Sequence, residues 1–586
     1  MAQPRFWTPE ITVDRRADGS ILMRHEGVAP RLADTVVARI SHWARRTPDQ
    51  TAFAARGPDG QWQRISYDQL LQKMRHLGAG LLERGLGQGR PVLILSENAL
   101  DHAVLALAGQ YAGVPTAALS TAFSLVSDSF DKLRDAVALL NPGLIYASDG
   151  ARYGRALAAV SDGVLTACSV NPPAGAVLFT ALPATDAGPA DSAFARLRGD
   201  MVAKYLFTSG STGSPKAVIN THDMLARNQD MVADCFRFLA DHPPVVVDWA
   251  PWSHTASGNK VFHMVLSNGG SYYIDDGKPT PALIGRTLDN LREVSPTWYF
   301  NVPAGYEMLL GAFRADPALA RRFFGGLDMM MYAGAGMAQH IWDGLRTMSR
   351  EVTGREVLLA TALGATETGP FALMCTEAQN APGNVGLPSR GITLKLVPNE
   401  GKLEARIKSP SVTPGYLGDA ATSAKMIDDE GFYCLGDALR PADPDDLTKG
   451  FFFDGRIAEN FKLATGTWVA VGALRAKLVD HFGGLIRDAV IVGENRPSLA
   501  ALLFPAEGVM DRPEIMAELQ ARLDSFVAAS TGSSTRIARM LILRDAPSLD
   551  RGEVTDKGSI NARAVIRHRP DAVAQVYATD EGITRE

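Results

Sequence analysis

Cysteine is scarce in this chain. Its 586 residues hold four, Cys168, Cys235, Cys375 and Cys434, far apart and never as a CxxC pair, which argues against a disulfide framework and against a zinc site. An excess of charge of either sign is missing too: 59 Lys and Arg face 64 Asp and Glu, a net −5 scattered along the chain. Neither nucleic acid nor a membrane surface is therefore an expected partner. No apolar run reaches the about eighteen residues of a spanning helix, and the N-terminal MAQPRFWTPEITVDRR has no signal core. The cytoplasm is the expected compartment. Hydrophobic content of 46% and charged content of 21% are ordinary for a globular protein. The length exceeds what one core supports, so two or more domains are expected.

Two familiar nucleotide signatures are also incomplete. The GAG of Gly334, Ala335 and Gly336 lacks the third glycine of a dinucleotide fingerprint, and Lys216 follows Pro215 where a P-loop places glycine. What is present is TSGSTGSPK (residues 208–216). Thr208, Ser209, Ser211 and Thr212 surround Gly210 and Gly213, and one cation, Lys216, closes the segment. Glycines let the backbone turn its N–H groups inward as an anion nest, while hydroxyls and the lysine add donors, so the segment is built to wrap phosphate. VAKYLF before it and AVI after it read as strands, with Thr221 capping a following helix. A Gly/Ser linker is the alternative, but linkers seldom lie between two apolar strands.

Along the chain, strands and helices alternate. LADTVVARISHWARR (32–46) reads as a helix after an irregular first 30 residues, then TAFAA as a strand, residues 66–85 as a helix capped by Ser66, PVLILS as a strand and DHAVLALAGQYAG as a helix. This predicts an α/β domain with largely parallel sheets. The Ala/Pro/Gly-rich residues 172–191 read as a surface loop. PVVVDWAP is a strand opening into WSHTASGN, where small residues around His254 suit a ligand pocket or a simple turn. SPTWYFNVPAGYEMLL (295–310), with Asn301 and Gly305, and MMMYAGAGM (329–337) are further strands that end in small residues, the methionines reading as core.

The second strong signal is VLLATALGATETG (357–369). It delivers Thr366 and Glu367 at a glycine-flanked turn. A carboxylate near a phosphate loop makes sense with a cation between them, Mg²⁺ being the natural one, although a plain helix start capped by Thr366 fits the local residues as well. Asp437, after Gly436, is placed to hold a ribose, and the acidic residues 443–446 read as a solvated loop. Beyond Gly455 lies a small α/β piece: GALRAKLVDHF and PEIMAELQARLDSFVAA as helices, the latter from Pro513, with DAVIVG and SLAALLFP as strands. The boundary falls near residue 456, dividing the chain into residues 1–455 and 456–586.

Together TSGSTGSPK, GATET, YCLGD and the Gly455–Arg456 pair resemble the adenylate-forming superfamily of acyl-CoA synthetases, nonribosomal adenylation domains and luciferases, over roughly residues 35–570. VDWAPWSHTASGN and GRIAENFKLATGTWVAVGALR resemble, within it, the feruloyl-CoA synthases, which activate hydroxycinnamic acids. The resemblance implies a large N-terminal domain of stacked β-sheets with flanking helices and a small mobile α+β C-terminal domain. It implies that residues 208–216 hold the β- and γ-phosphates of ATP, that Thr366 touches the α-phosphate, and that Glu367 holds Mg²⁺. Asp437 and Arg456 would then meet the ribose, Gly334 to Gly336 the adenine, and His254, with Asn301 and Gly305, the acid. Lys557 in EVTDKGSINAR would be the adenylating lysine, and Gly466 would lie on the path of coenzyme A. Leu363 stands where the family usually has an adenine-stacking aromatic, the hinge position falls on Ala458 or Glu459, and Gly558 follows Lys557 instead of preceding it.

The expected reaction is ATP-dependent ligation of an acid to coenzyme A through an acyl-adenylate, with ferulate or a related hydroxycinnamic acid as substrate. A carboxylate is a poor acylating agent, and the mixed anhydride with AMP is one that a thiol can attack. Lys216, Lys557 and Glu367 would stabilise charge in the first step, and rotation of the small domain would serve the second. The rivals are a fatty or other acyl-CoA ligase, and an adenylating enzyme that loads a carrier protein. No carrier attachment segment is evident, which favours free coenzyme A. The oligomeric state is left open, a homodimer included.

Overall fold

The computed structural model describes residues 4–209, 214–555 and 558–586, with Ser209 described in its backbone alone. Among the described residues three parallel or mostly parallel sheets and two antiparallel ones, of six strands and of three short strands, make the large N-terminal part. In the seven-stranded sheet the order is Pro215–Thr221, Val202–Ser209, Thr116–Ala118, Val92–Leu95, Leu144–Asp149, Leu165–Val170, Val177–Leu178, parallel except at the first strand. Residues 92–95, VLIL, are buried throughout. Such a strand needs cover on both faces, which helices such as Tyr67–Glu83 and Asp131–Leu140 supply.

Val245–Asp248, Ser271–Ile274, Thr51–Arg56 and Trp62–Ser66 form a four-stranded sheet, and Trp298–Asn301, Met329–Tyr332 and Leu358–Ala360 a parallel three-stranded one. Met329 and Met331 pack into one core cluster while Met330 and Tyr332 pack into another. That is the period of two of a strand buried on both faces. The methionines are core, as expected. All four cysteines are free.

Helix starts follow their caps. Ser66 caps Tyr67–Glu83 with a capping box through Gln69, and Thr221 caps His222–Cys235 by accepting from the Met224 N–H at 3.2 Å. The first helix runs Val36–Arg46 with Thr35 as its cap, four residues later than the apolar stripe from Leu32 suggested. The helix expected from Pro513 begins at Ile515.

Other elements correct the sequence reading. The first 30 residues hold a hairpin, Ile11–Arg15 with Ile21–His25, which becomes the edge of a six-stranded antiparallel sheet by pairing with Thr393–Asn399. A partner almost 370 positions away cannot be read from local sequence. Residues 172–191 hold the short strand Val177–Leu178 and the start of helix Gly188–Phe194. After Val245–Asp248 the chain does turn at residues 252–254, and a π-helix, Ala256–Val261, which the sequence did not suggest, follows that turn.

The C-terminal part has its own sheet, Ile486–Val492, Leu499–Pro505, Ile537–Ile542 and Gly582–Arg585, and its core clusters draw only on residues from Leu463 onward apart from a flank. The architecture is therefore mixed α/β, with a large N-terminal domain and a small C-terminal one. Docking between the two parts combines an apolar contact, Leu549 against the core that holds Leu133 and Leu140, with polar ones. The Asp550 carboxylate accepts from Ser127 Oγ at 2.5 Å and from the Asp128 N–H at 3.2 Å, and Lys132 Nζ donates to the Leu549 carbonyl at 2.5 Å. Among the described residues no helix is long and apolar enough to cross a membrane.

Candidate active site

Thr208 and Lys216 stand opposite each other where Val202–Ser209 pairs with Pro215–Thr221. Gly210, Ser211, Thr212 and Gly213 lie outside the described residues. Lys216 reaches over the ring of Tyr416, its Nζ 5.3 Å from the centroid. The Tyr416 hydroxyl in turn donates to Glu367 Oε1 at 2.9 Å. Burial, then the charge of Glu367, raises the Tyr416 phenol, so it stays a donor at neutral pH.

Local chemistry explains why Glu367 is there. Thr366–Thr368 is a single 3-10 turn, and the Ala365 N–H donates to Thr368 Oγ1 at 2.9 Å, so Ala365 and not Thr366 is the cap residue. A Cβ on Gly364 would come within 1.5 Å of the Pro370 carbonyl oxygen, so only glycine allows that closure. Residues 411–417 then stitch the turn to the strand that carries Lys216. Thr413 N–H donates to the Glu367 carbonyl at 2.8 Å, Thr413 Oγ1 to the Ile219 carbonyl at 2.6 Å, and Leu417 N–H to the Ala217 carbonyl at 2.9 Å.

Asp437 and Arg456 face each other across Tyr433–Pro441 and Phe451–Arg456. Arg456 Nε lies 3.1 Å from Asp437 Oδ1. That oxygen is nevertheless buried and accepts no hydrogen bond among the described residues. Burial pushes the Asp437 carboxyl up to about 6, against the pull of Arg456 and with the help of Glu459 and Glu367. An orphaned buried acceptor beside a cation is a place for a donor such as a sugar hydroxyl. Tyr433, held protonated by burial and by the Glu367 charge, joins Asp437 to the Tyr416 group.

Gly334, Ala335 and Gly336 are exposed beyond the end of Met329–Tyr332, and a Cβ on Gly336 would meet open space. Leu363 is packed in the core on Ala362–Leu363. His254 is half-buried, its Nδ1 accepting from the Ala256 N–H at 3.2 Å. Asn301 is buried, with Oδ1 accepting from Trp249 Nε1 at 3.1 Å and from the Val302 N–H at 2.9 Å, and Nδ2 donating to the Tyr299 hydroxyl at 3.2 Å. A Cβ on Gly305 would lie 2.3 Å from Asn301 Oδ1, so this glycine makes room for that side chain. Asn301 thus ends the strand Trp298–Asn301, Gly305 lies in the first turn of the helix Pro303–Ala315 that follows, and His254 lies in the turn after Val245–Asp248. Gly466 turns the hairpin between Phe461–Lys462 and Trp468–Val469. Ala458 and Glu459 form the turn Ile457–Glu459, whose Ala458 carbonyl accepts from Arg563. Lys557 lies outside the described residues.

Sequence reasoning singled out Thr208, Lys216, Thr366, Glu367, Asp437 and Arg456, and the structure brings the last four and Lys216 into one neighbourhood. It missed Tyr416 and Tyr433, which join them. Only the Pro-Gly pair before Tyr416 marks that position locally.

The model of the AMP-binding enzyme family matches residues 40–417, and that of the AMP-binding enzyme C-terminal domain matches residues 462–581. A carboxylic acid reductase of Mycobacterium marinum is 25% identical over 88% of this chain and 46% of its own length. The chain spans less than half the length of the carboxylic acid reductases it matches. A 4-coumarate–CoA ligase of Oryza sativa is 25% identical over 71% of this chain and 74% of its own. The ATP-bound structure of MatB from Rhodopseudomonas palustris has the same fold, with a TM-score of 0.68 at 22% identity over 91% of this chain and 99% of that one. The chain belongs to the AMP-binding enzyme family.

Proposed function

We propose that the chain is an ATP-dependent acid–thiol ligase that joins a carboxylic acid to AMP and then passes the acyl group to coenzyme A, with a hydroxycinnamic acid such as ferulate as its substrate. The observation that carries this reading is the chain of contacts from Lys216 through Tyr416 to Glu367, with Asp437 and Arg456 beside it. A cation, a phenol, a carboxylate and a buried unpaired acceptor in one place suit a nucleoside triphosphate. The likeness to a 4-coumarate–CoA ligase supports the acid class.

In this reading residues 208–216 wrap the β- and γ-phosphates, and Thr366 donates to the α-phosphate. Lys216 offsets charge that builds on the leaving pyrophosphate. Glu367 is the carboxylate that would hold Mg²⁺, which when bound would neutralise phosphate charge. Tyr416 fixes Glu367 Oε1 and so orients the second oxygen. Asp437 accepts from the ribose hydroxyls, Arg456 lies against the ribose and phosphate, and Gly334 to Gly336 border the adenine. His254, Asn301 and Gly305 line the acid side. The domains divide at residues 455 and 456. The small domain then turns to bring Gly466 and coenzyme A to the adenylate, and Lys557 away from it.

The reading is tested by acid-dependent release of pyrophosphate and coenzyme A-dependent release of AMP, with ferulate, 4-coumarate, benzoate and a medium-chain fatty acid. Turnover of ferulate or 4-coumarate with free coenzyme A upholds it. Turnover of the fatty acid alone overturns the substrate and keeps the ligase. The match to carboxylic acid reductases favours a second reading, in which the adenylate is passed to a carrier's thiol arm. Pyrophosphate release without any coenzyme A thioester would support that one.

A pH dependence follows from Asp437. Its raised pKa means that it is a charged acceptor above about 6 and takes up a proton below. The ATP KM is therefore expected to rise as pH falls through about 6, and Asp437→Asn to raise KM at neutral pH and flatten that limb. An unchanged acid limb in the variant would remove Asp437 from nucleotide binding.

A further inference from the structure

Among the described residues three lysines are buried: Lys204, Lys260 and Lys395. Two are accounted for by oxygen acceptors. Lys395 pairs with Asp428 at 3.2 Å and with Glu430, and Lys204 Nζ donates to the Gly258 carbonyl at 3.0 Å, tying the phosphate-loop strand to the π-helix. Lys260 differs. It is 4% exposed, and its hydrogen-bond acceptor among the described residues is a sulfur, Met331 Sδ, at 2.9 Å. Aromatic faces flank it, with Phe371 at 4.8 Å and Phe236 at 5.4 Å from ring centroid to Nζ. The titratable groups that act on it are the buried thiols of Cys235 and Cys375, not carboxylates. An ammonium has three donors and a thioether is a weak acceptor, so the group is short of oxygen partners. Burial pushes Lys260 down to about 7, so near neutral pH it is poised to be charged by an anionic or strongly accepting partner.

The location of Lys260 says what that partner is. Met331 belongs to the strand Met329–Tyr332 that leads to Gly334, and pairs with Phe300 on the strand that ends at Asn301. Phe371 follows the turn that carries Thr366 and Glu367. Lys260 itself is delivered by a π-helix beginning two residues after His254, an irregularity that breaks ordinary helical spacing and is frequent at functional sites. The ammonium thus lies behind the three segments read as the acid and nucleotide site, between two aromatic rings. Met331 has a flexible side chain that can yield its position.

We propose that Lys260 is the specificity-determining residue of the acid pocket, and that it selects acids whose far end carries an oxygen acceptor, a phenolic hydroxyl or a second carboxylate. An acid whose carboxylate meets the α-phosphate beside Thr366 sets its far oxygen on the ammonium in place of the Met331 sulfur, where the edge-to-face rings of Phe236 and Phe371, 6.3 Å apart between centroids, flank it. This rests on the adenylating reading above and narrows its substrate class.

The test is pyrophosphate release by the full-length protein with matched acids: 4-hydroxycinnamate against cinnamate, and 4-carboxybenzoate against benzoate. Wild type, Lys260→Met and Lys260→Arg are compared, with thermal melts to confirm folding. In wild type kcat/KM is expected to favour one oxygen-bearing acid over its plain partner by about 30-fold or more. The pair that shows the preference distinguishes phenol from carboxylate. In Lys260→Met that ratio collapses to about one, chiefly through KM, while the plain acid is turned over as well as before or better. Lys260→Arg keeps part of the preference. A folded Lys260→Met with an unchanged ratio overturns the proposal and leaves the ligase reading intact. A wild type that favours both plain acids overturns it whatever the variants do. A wild type that adenylates no acid at all overturns the ligase reading, and the proposal with it.

Discussion

Glu367→Ala is expected to lower pyrophosphate release by about a hundredfold or more, with little change in stability. The carboxylate is partly exposed, and its hydrogen-bond partner is the Tyr416 hydroxyl, which has water within reach once the acceptor is gone. The stability cost is therefore about 1 kcal/mol, the size of one net hydrogen bond. The loss in rate is larger because the group acts where charge builds up in the transition state. A titration separates the two roles open to Glu367. If it holds the cation, Glu367→Gln raises the Mg²⁺ concentration needed for half-maximal rate, and excess Mg²⁺ recovers part of the activity. If Glu367 is only the second residue of a capped turn, neither the rate nor the Mg²⁺ dependence moves by more than about threefold. Tyr416→Phe frees Oε1, so a smaller shift of the same Mg²⁺ dependence is expected.

The second large effect is expected at Lys557, which should divide the reaction into its halves. Lys557→Ala is expected to slow acyl-adenylate formation by about a hundredfold or more, while thioester formation from a supplied acyl-adenylate changes by no more than a few-fold. The residues that precede Lys557 are anchored on the N-terminal part. Asp550 accepts from Ser127 and Asp128, and Leu549 accepts from Lys132 on helix Asp131–Leu140. The same helix carries Asp135, which accepts from Ser214 Oγ at 3.2 Å, two residues before Lys216. One helix thus contacts both the segment leading to Lys557 and the segment leading to Lys216. Equal loss in both half-reactions would mean that Lys557 supports the fold of the small domain rather than the first step. Its contribution would then be visible as a lowered melting temperature.

Much of this was legible along the chain. The two strands that flank residues 208–216 were readable from their apolar runs, and they pair as Val202–Ser209 with Pro215–Thr221. GATETG marks a turn through Gly364, where a side chain would collide with Pro370, and Gly369. The caps Ser66 and Thr221 are local chemistry and were found locally. Asp437 stood out by following a glycine, but its orphaned oxygen and its pairing with Arg456 are consequences of strand register.

What the sequence determined by itself is therefore what depends on neighbours a few residues apart: strand and helix periodicity, capping and the glycine closures. What only the tertiary structure decided depends on segments distant in the chain. The N-terminal hairpin became an edge of the six-stranded sheet because its hydrogen bonds go to residues near 395, and Tyr416 became the bridge from Lys216 to Glu367 because residues 411–417 stitch the turn of Glu367 to the strand of Lys216. Lys260 reads in sequence as one more cation near a helix start. Its significance comes from dielectric surroundings, aromatic rings and a sulfur supplied by positions 236, 331 and 371, and only packing can assemble those.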